Sequence, residues 1–120
     1  IKKSMDYCIR TWDPYEKGFR VVGDDFMTFE PSEPYDVIVM NPPFCKRQDA
    51  LHILKAISIA KRKVVAIASY AVMWRTDGPY KELRDVVEHL GGYISELPDK
   101  SFKESGTMVK TALVVVEKSI

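Results

Sequence analysis

The sequence predicts an α/β fold in which helices cover a mostly parallel β-sheet. Two runs of consecutive apolar residues, VIVM and VVAIA, are typical of strands that are buried on both faces of a sheet. A segment with helical apolar spacing follows each run, and this alternation indicates parallel strands joined by helices. The last two predicted strands are joined by a polar loop without a helix, so we expect them to form an antiparallel pair.

The first third of the chain is predicted to contain one helix and one strand. Apolar residues recur at helical spacing at Ile1, Met5, Cys8, Ile9 and Trp12. Asp13-Pro14 would end that helix. GFRVVG, residues 18–23, is predicted to be a short strand between two glycines. DDFMTFEPSEP, residues 24–34, is predicted to be a loop because two prolines interrupt it.

The other elements follow in chain order from Tyr35. YDVIVM is predicted to be a strand buried on both faces, and RQDALHILKAISIAKR an amphipathic helix. KVVAIAS is a second buried strand, and SYAVMWRTDGP is irregular. PYKELRDVVEHLGG is predicted to be a helix, because Pro79 suits its first turn and Gly91-Gly92 suits its end. YISEL and TALVVVEK are the closing strands, separated by the polar loop PDKSFKESGTMVK.

Length and composition are those of one globular domain, which we place at residues 1–120. The chain is 46% hydrophobic and 29% charged, and its net charge of +1 neither indicates nor excludes a nucleic-acid partner. No apolar run approaches the length of a membrane span. Cys8 and Cys45 form no disulfide framework, which fits a reducing cytoplasmic location. His52 and His89 have no Cys or His at ligand spacing, so we expect no metal site.

The stretch VIVMNPPF, residues 37–44, carries the functional signal. In parallel α/β sheets, ligands bind beyond the carboxyl ends of the strands, and Asn41–Phe44 follow directly after a strand. Pro42 and Pro43 cannot donate to a ladder and stiffen the turn. The Asn41 side-chain oxygen and the Pro42 carbonyl oxygen are then two acceptors for the two N–H groups of an aromatic amine. Phe44 offers a face on which a base can stack.

Asn-Pro-Pro-Phe after a hydrophobic strand resembles the signature of class I amino-methyltransferases that use S-adenosylmethionine, above all adenine-N6 DNA methyltransferases of phage and restriction-modification systems. The resemblance implies a Rossmann-like sheet with helices on both faces and an antiparallel C-terminal strand pair. It also implies that Asn41 and the Pro42 carbonyl hold the target amine and that Phe44 stacks on a flipped base, with Pro43 completing the turn. An unrelated interpretation makes Pro42-Pro43 a stiff turn and Phe44 a core residue.

The resemblance extends to both sides of this motif. VVGDDFMTF is similar to the family segment whose acidic residue contacts the cofactor adenine, which implies a cofactor-binding role for Asp25, Phe26 and Asn41, with Asp24 as the second choice. The ending LPDKSFKESGTMVKTALVVVEK is similar to the last two strands of phage and restriction-modification adenine methyltransferases.

Basic and aromatic residues next to the motif are candidates for nucleic-acid contacts. Lys46 and Arg47 follow the motif directly, and phosphate contact and plain solvation are both open for them. Tyr70, Trp74 and Arg75 follow the next buried strand and could line the cleft, and core packing of the aromatic residues stays open. The cluster Lys61-Arg62-Lys63 fits the solvated end of a helix better than a phosphate site.

Part of the family pattern is absent from these 120 residues. None of the six glycines forms Gly-x-Gly, and the chain before Asp25 is too short for two strand–helix units. We therefore expect an N-terminally truncated methyltransferase domain, its C-terminal portion, that binds cofactor weakly or not at all by itself. The strand neighbour that the family provides for YDVIVM is not encoded, so the Val37–Val39 edge should be covered by self-association or by a missing N-terminal portion.

The function predicted from the resemblance is methyl transfer from S-adenosylmethionine to N6 of adenine in DNA, which we favour over RNA. Two alternatives stay open at this point. One is a non-catalytic remnant that keeps the base pocket as a binding module, and the other is an RNA or protein-glutamine amino-methyltransferase, which uses a similar turn.

Overall fold

The computed structural model describes residues 9–13, 15–23, 25–31, 33–44, 47–98 and 110–118. These residues fall into two compact units, residues 1–32 and residues 33–120. The expectation of a single domain over residues 1–120 stays a prediction. Several predicted features lie outside the described residues, namely residues 1–8, Asp24, Cys45, Lys46 and the loop 99–109.

The first unit is a β-hairpin, and the helix predicted over residues 9–12 is wrong. Strand β1 (Ile9–Asp13) pairs antiparallel with strand β2 (Gly18–Gly23) across a turn in which Lys17 has φ 53°. Trp12 lies opposite Phe19, and their rings meet edge to face with centroids 5.2 Å apart. Spacing that fits one helical turn also fits a short strand, and this cross-strand aromatic pair decides for the strand. The prediction of a strand at GFRVVG is confirmed.

The second unit contains a four-stranded mixed sheet in the order β3-β4-β6-β5. The strands are β3 (Tyr35–Met40), β4 (Ala60–Ser69), β5 (Tyr93–Glu96) and β6 (Thr111–Glu117). β3 and β4 are parallel, whereas β6 is antiparallel to both β4 and β5. β3, β4 and β5 thus run in one direction and β6 in the other. The predicted antiparallel pair at the end of the chain, β5 with β6, is confirmed.

Two α-helices and a short 3₁₀ helix complete this unit. Helix α1 (Gln48–Ile59) connects β3 to β4, and α2 (Pro79–His89) lies between the 3₁₀ helix Tyr70–Met73 and β5. Both α-helices were predicted, and Pro79 occupies the first turn of α2 as expected. α1 and α2 contact each other, so both lie on one face of the sheet. The core between helices and sheet is formed by buried aliphatic side chains, including Ile53, Val64, Leu83, Val114 and Val116.

The opposite face of the sheet is apolar but only partly covered, in contrast to the expectation of helices on both faces. Val39 is paired with Val65, and Val65 with Val115. Because paired residues point to the same side of a sheet, these side chains share this face. Val65 and Val115 are half-buried, whereas Val39 is 77% exposed and Val37 40% exposed. β3 is therefore an edge strand with an exposed apolar row, and the prediction that it is buried on both faces is wrong.

The basic cluster Lys61-Arg62-Lys63 lies within β4 and not at the end of a helix, so that prediction is wrong too. α1 ends at Ile59, and Ala60 already has the extended conformation with ψ 137°. The cation at the helix C-terminus comes instead from Lys118, whose Nζ donates to the carbonyl oxygens of Ile57 (2.6 Å) and Ala60 (2.8 Å). A distant lysine thus satisfies carbonyls that the last turn leaves unpaired.

We expect the 120-residue chain to self-associate through β3, because an exposed apolar edge strand can pair with another chain. Light scattering should give a mass above 13.7 kDa that rises with protein concentration. Val39→Lys should return the mass to that of the monomer, since a charge on the edge opposes pairing. Leu51→Lys, at an exposed apolar position of α1, is the matched control and should leave association unchanged. A monodisperse wild-type monomer at all concentrations would contradict this prediction.

Candidate target-amine site at the carboxyl edge of the sheet

The predicted motif lies where the parallel strands of the second unit end. β3 ends at Met40, opposite Ala66, and β4 ends three residues later at Ser69. Because β6 runs antiparallel to β4, its first residue Thr111 lies opposite Ser69 at the same edge. Residues from three strands therefore meet at the edge where α/β sheets bind ligands.

The four motif residues differ in their exposure. Pro42 is buried, Pro43 and Phe44 are half-buried, and Asn41 is exposed. Strand pairing stops before the prolines, which lack a backbone N–H. Among the described residues, none forms a hydrogen bond with the Asn41 side-chain amide. The turn is thus anchored by a buried proline, while the amide and part of the phenylalanine ring remain accessible.

A buried carboxylate fixes the segment that follows the motif. Asp49 lies in the first turn of α1 and is fully buried. The backbone N–H and the hydroxyl of Ser69 donate to its Oδ2 at 2.9 and 2.7 Å, and the Ala50 N–H donates to its Oδ1 at 2.9 Å. These donors offset the cost of removing a charge from water. The start of α1 is thereby tied to the end of β4.

Sequence reasoning missed Asp49, although the sequence contained a signal. Asp49 lies four and seven positions before Ile53 and Ala56, which are both fully buried on the inner face of α1. A carboxylate at such a position has to find hydrogen-bond donors. Its partner Ser69 is 20 residues away in the chain, so spacing alone could not identify it.

Two further polar groups, Tyr80 and Thr111, are buried at this edge of the sheet. Burial raises the pKa of Tyr80, the nearby charge of Asp49 raises it further, and a hydrogen bond with Ser69 acts in the opposite direction. Tyr80 therefore keeps its phenolic proton at neutral pH. Thr111 is buried, and its Oγ1 has no hydrogen-bond partner among the described residues. This edge of the sheet thus combines a buried carboxyl group with neutral hydroxyls.

The residues predicted to contact nucleic acid differ in their exposure to solvent. Arg47 is the residue before α1, and its Nη1 lies 3.3 Å from Oδ2 of Asp77. Trp74 is 62% exposed and follows the 3₁₀ helix. Tyr70 is half-buried, and the ammonium group of Lys110 lies 5.2 Å from the centre of its ring. Arg47 and Trp74 are therefore accessible beyond the carboxyl edge, whereas Tyr70 is partly packed.

The predicted cofactor contacts Asp25 and Phe26 belong to the first unit. Asp25 is exposed and starts a turn in which its Oδ1 accepts the N–H of Met27 at 3.1 Å. Its carbonyl oxygen accepts the N–H of Thr28 at 3.3 Å. Phe26 is half-buried within this turn. The loop predicted after GFRVVG is confirmed for residues 25–31, and the cofactor role of both residues stays a prediction.

The described part of the chain contains neither a cluster of metal-ligating side chains nor a membrane-spanning helix. No group of three His, Cys, Asp or Glu side chains converges there in a way that could hold a metal ion. None of the helices described is long and apolar enough to cross a membrane. The absence of a metal cofactor stays a prediction.

Comparison with known proteins gives a fold and no family. No protein-family model matches the chain, and no curated protein matches it significantly. A similar chain occurs in a solved structure that addresses the complex assembly and conformational transition of the type I restriction-modification (R-M) system. The two chains are 24% identical, with a TM-score of 0.57 over 72% of this chain and 22% of the other. The likeness shows a shared α/β fold, and this chain spans about a fifth of its neighbour's length.

We predict that Asp49→Ala lowers the free energy of unfolding by about 1.5–3 kcal/mol, because it removes the acceptor of three hydrogen bonds and leaves buried donors unpaired. Urea denaturation measures the change. Asp85→Ala is the control, since Asp85 forms an exposed ion pair with Lys81 at 3.0 Å and such pairs contribute at most about 0.5 kcal/mol. Equal effects of the two substitutions would show that Asp49 is not the tie between α1 and β4.

Proposed function

We propose that this chain carries the target-amine side of the active site of an S-adenosylmethionine-dependent adenine-N6 DNA methyltransferase. The observation that supports it best is the position of Asn41–Phe44 directly beyond the carboxyl end of β3, with an exposed amide on a turn anchored by buried Pro42. The shared fold with a chain of a type I R-M system agrees with a DNA-related role.

The donor and acceptor chemistry of the motif fits an exocyclic amine. The Asn41 side-chain oxygen and the Pro42 carbonyl oxygen accept its two N–H groups, which leaves the nitrogen lone pair directed away from both acceptors. The same two oxygens stabilise the positive charge that develops on the nitrogen as it reacts. Phe44 stacks on the face of the base and holds it outside the duplex. The contribution of these residues is positioning and electrostatics.

The fit to the cofactor is partial. S-adenosylmethionine, when bound, supplies a methyl group carried by a sulfonium sulfur. Asp25 offers a carboxylate to an adenine or ribose group, and its one hydrogen bond to Met27 does not exhaust its acceptor capacity. The six glycines of the sequence include no Gly-x-Gly turn that would hold the methionine part. The chain's own residues thus match the target side of the site better than the cofactor side.

Transfer of a labelled methyl group tests the function directly. The chain is supplied with excess S-adenosylmethionine and, in parallel reactions, with adenine-containing duplex DNA, RNA and a mixture of proteins. We expect label on N6 of adenine in DNA. Label in RNA or on glutamine would reassign the substrate while keeping the chemistry.

A second candidate function is a base-binding module without catalysis, because the turn at Asn41–Phe44 supplies the target side of the site, which is all that such a module needs. The two functions share the target pocket and differ in methyl transfer. Capture of an extrahelical base without any transfer of label at excess cofactor would assign the chain to this second class.

In a complete enzyme that contains this chain, we predict that Asn41→Ala lowers kcat by about 10²–10³-fold, equivalent to about 2.7–4 kcal/mol, by analogy with the loss of one preorganised hydrogen-bonding group. Cofactor affinity, measured by calorimetry, should stay unchanged because the amide contacts the target amine. Ser95→Ala, at an exposed position of β5, is the control. A parallel loss of turnover and cofactor affinity would instead make Asn41 a cofactor ligand.

We predict that Phe44→Ala and Phe44→Leu weaken capture of the flipped base by about 1–3 kcal/mol, whereas Phe44→Tyr and Phe44→Trp preserve it. Stacking needs an aromatic face and no particular polar atom. Fluorescence of 2-aminopurine at the target position of a duplex reports the extrahelical state. If Phe44→Leu captures the base as well as wild type, Phe44 is a core residue.

A further inference from the structure

Two arginines from separate segments converge on one carboxylate beside the motif. Arg75 donates to Asp77 from Nε to Oδ1 at 2.8 Å and from Nη2 to Oδ2 at 2.9 Å, which is a bidentate pair. Arg47, three residues after Phe44, donates from Nη1 to Oδ2 of the same carboxylate at 3.3 Å. Asp77 thus accepts from both guanidinium groups and leaves the cluster with one excess positive charge.

The cluster is accessible, and it contributes little to folding. The side chains of Arg47, Arg75 and Asp77 are 52%, 42% and 40% exposed. Ion pairs with this exposure stabilise proteins only slightly, so an external anion can replace the carboxylate at small cost. The hydrogen bond from Arg75 lowers the pKa of Asp77, so the carboxylate is ionised at neutral pH. At physiological pH the arginines are therefore held by an anion that another anion can replace.

The surrounding backbone holds the two arginines in place. Arg84 donates through Nη1 to the carbonyl oxygen of Val72 at 2.9 Å and through Nη2 to that of Arg75, which fixes the segment bearing Arg75. The guanidinium carbon of Arg75 also lies 5.2 Å from the centre of the buried Tyr80 ring. Arg47 has φ 62° at the residue before α1. The fold thus defines the position of the Arg75 guanidinium and the point at which the Arg47 side chain leaves the backbone.

Two neighbours of the cluster suit a nucleic-acid strand. Gly78 lies next to the Arg47 guanidinium, since a Cβ at that position would be in ordinary contact with Nη1 at 3.5 Å. Trp74, the residue before Arg75, exposes 62% of its surface and offers a face for base stacking. Paired guanidinium groups match the oxygens of a phosphodiester as well as those of a carboxylate.

We propose that Arg47 and Arg75 bind a phosphodiester group of the DNA strand that carries the target base, and that Asp77 occupies this position as an internal substitute when DNA is absent. The inference rests on the proposed function and extends it, since it assigns the phosphate contact and a competitor for it. Binding exchanges one anion for another at the same two arginines. The carboxylate lowers affinity for DNA and keeps the arginines from binding other anions.

The direction in which Asp77→Asn changes the affinity for DNA tests the proposal. Asp77→Asn removes the competing charge and should tighten DNA binding severalfold. Arg47→Gln and Arg75→Gln should weaken binding, and each should reduce the slope of log affinity against log salt by up to about 0.9 for a duplex or about 0.7 for a single strand. Fluorescence anisotropy of the 120-residue chain with a labelled adenine-containing oligonucleotide measures both quantities. Asp85→Asn and Lys81→Ala alter an exposed ion pair of the same type and are the matched controls.

Three other outcomes would overturn the proposal. Weaker binding by Asp77→Asn would make the carboxylate a positioning group for the arginines. Wild-type affinity and salt slope in all three variants would place the phosphate contact elsewhere while leaving DNA binding intact. If Asp85→Asn tightens DNA binding as much as Asp77→Asn does, the gain in affinity comes from the change in net charge and not from the loss of a competitor for the two arginines. By contrast, an arginine-dependent salt slope without base capture or methyl transfer would support the phosphate site and reject the proposed function.

Discussion

The buried carboxylate of Asp49 is the constraint on which the geometry of the carboxyl edge depends. It joins the first turn of α1 to the last residue of β4, while the ladder between β3 and β4 joins the strand before the motif to the same β4. The turn at Asn41–Phe44 is thus held at both of its ends by one strand. Because the donors come from a backbone N–H and a hydroxyl, no buried cation is needed, and the polar edge can lie next to an apolar core.

Much of the second unit could be predicted from apolar periodicity alone. α1, α2 and the four strands have long or strongly patterned segments with clear end signals, such as Pro79 before α2 and Gly91 with φ 74° after it. β1 could not be predicted, because five residues match two periods and a contact with Phe19 decides between them. The composition of the run VIVM did not reveal the exposure of Val39, since an edge strand and a central strand can share one composition. The unpaired edge followed instead from the missing strand neighbour of the family pattern, and that prediction is confirmed.

The candidate site shows the same division between local and distant information. The motif at Asn41–Phe44 is contiguous, and its place after a strand follows directly from the chain order. The groups that hold and surround it were not predictable, because Asp49 meets Ser69 over 20 residues and Arg47 meets Asp77 over 30. Each of these contacts depends on how two distant elements are placed in the fold. The local sequence around either residue does not indicate that placement.

The position of β6 has a consequence for how the second unit can be made. β6 follows the other described strands in the chain, yet it lies between β4 and β5 and pairs with both of them. During synthesis, β5 has no strand to pair with until residues 111–117 have emerged from the ribosome. The sheet therefore cannot assemble progressively from its N-terminal side. Its completion depends on contacts distant in sequence, which slow folding and leave apolar strands exposed to other nascent chains in the meantime.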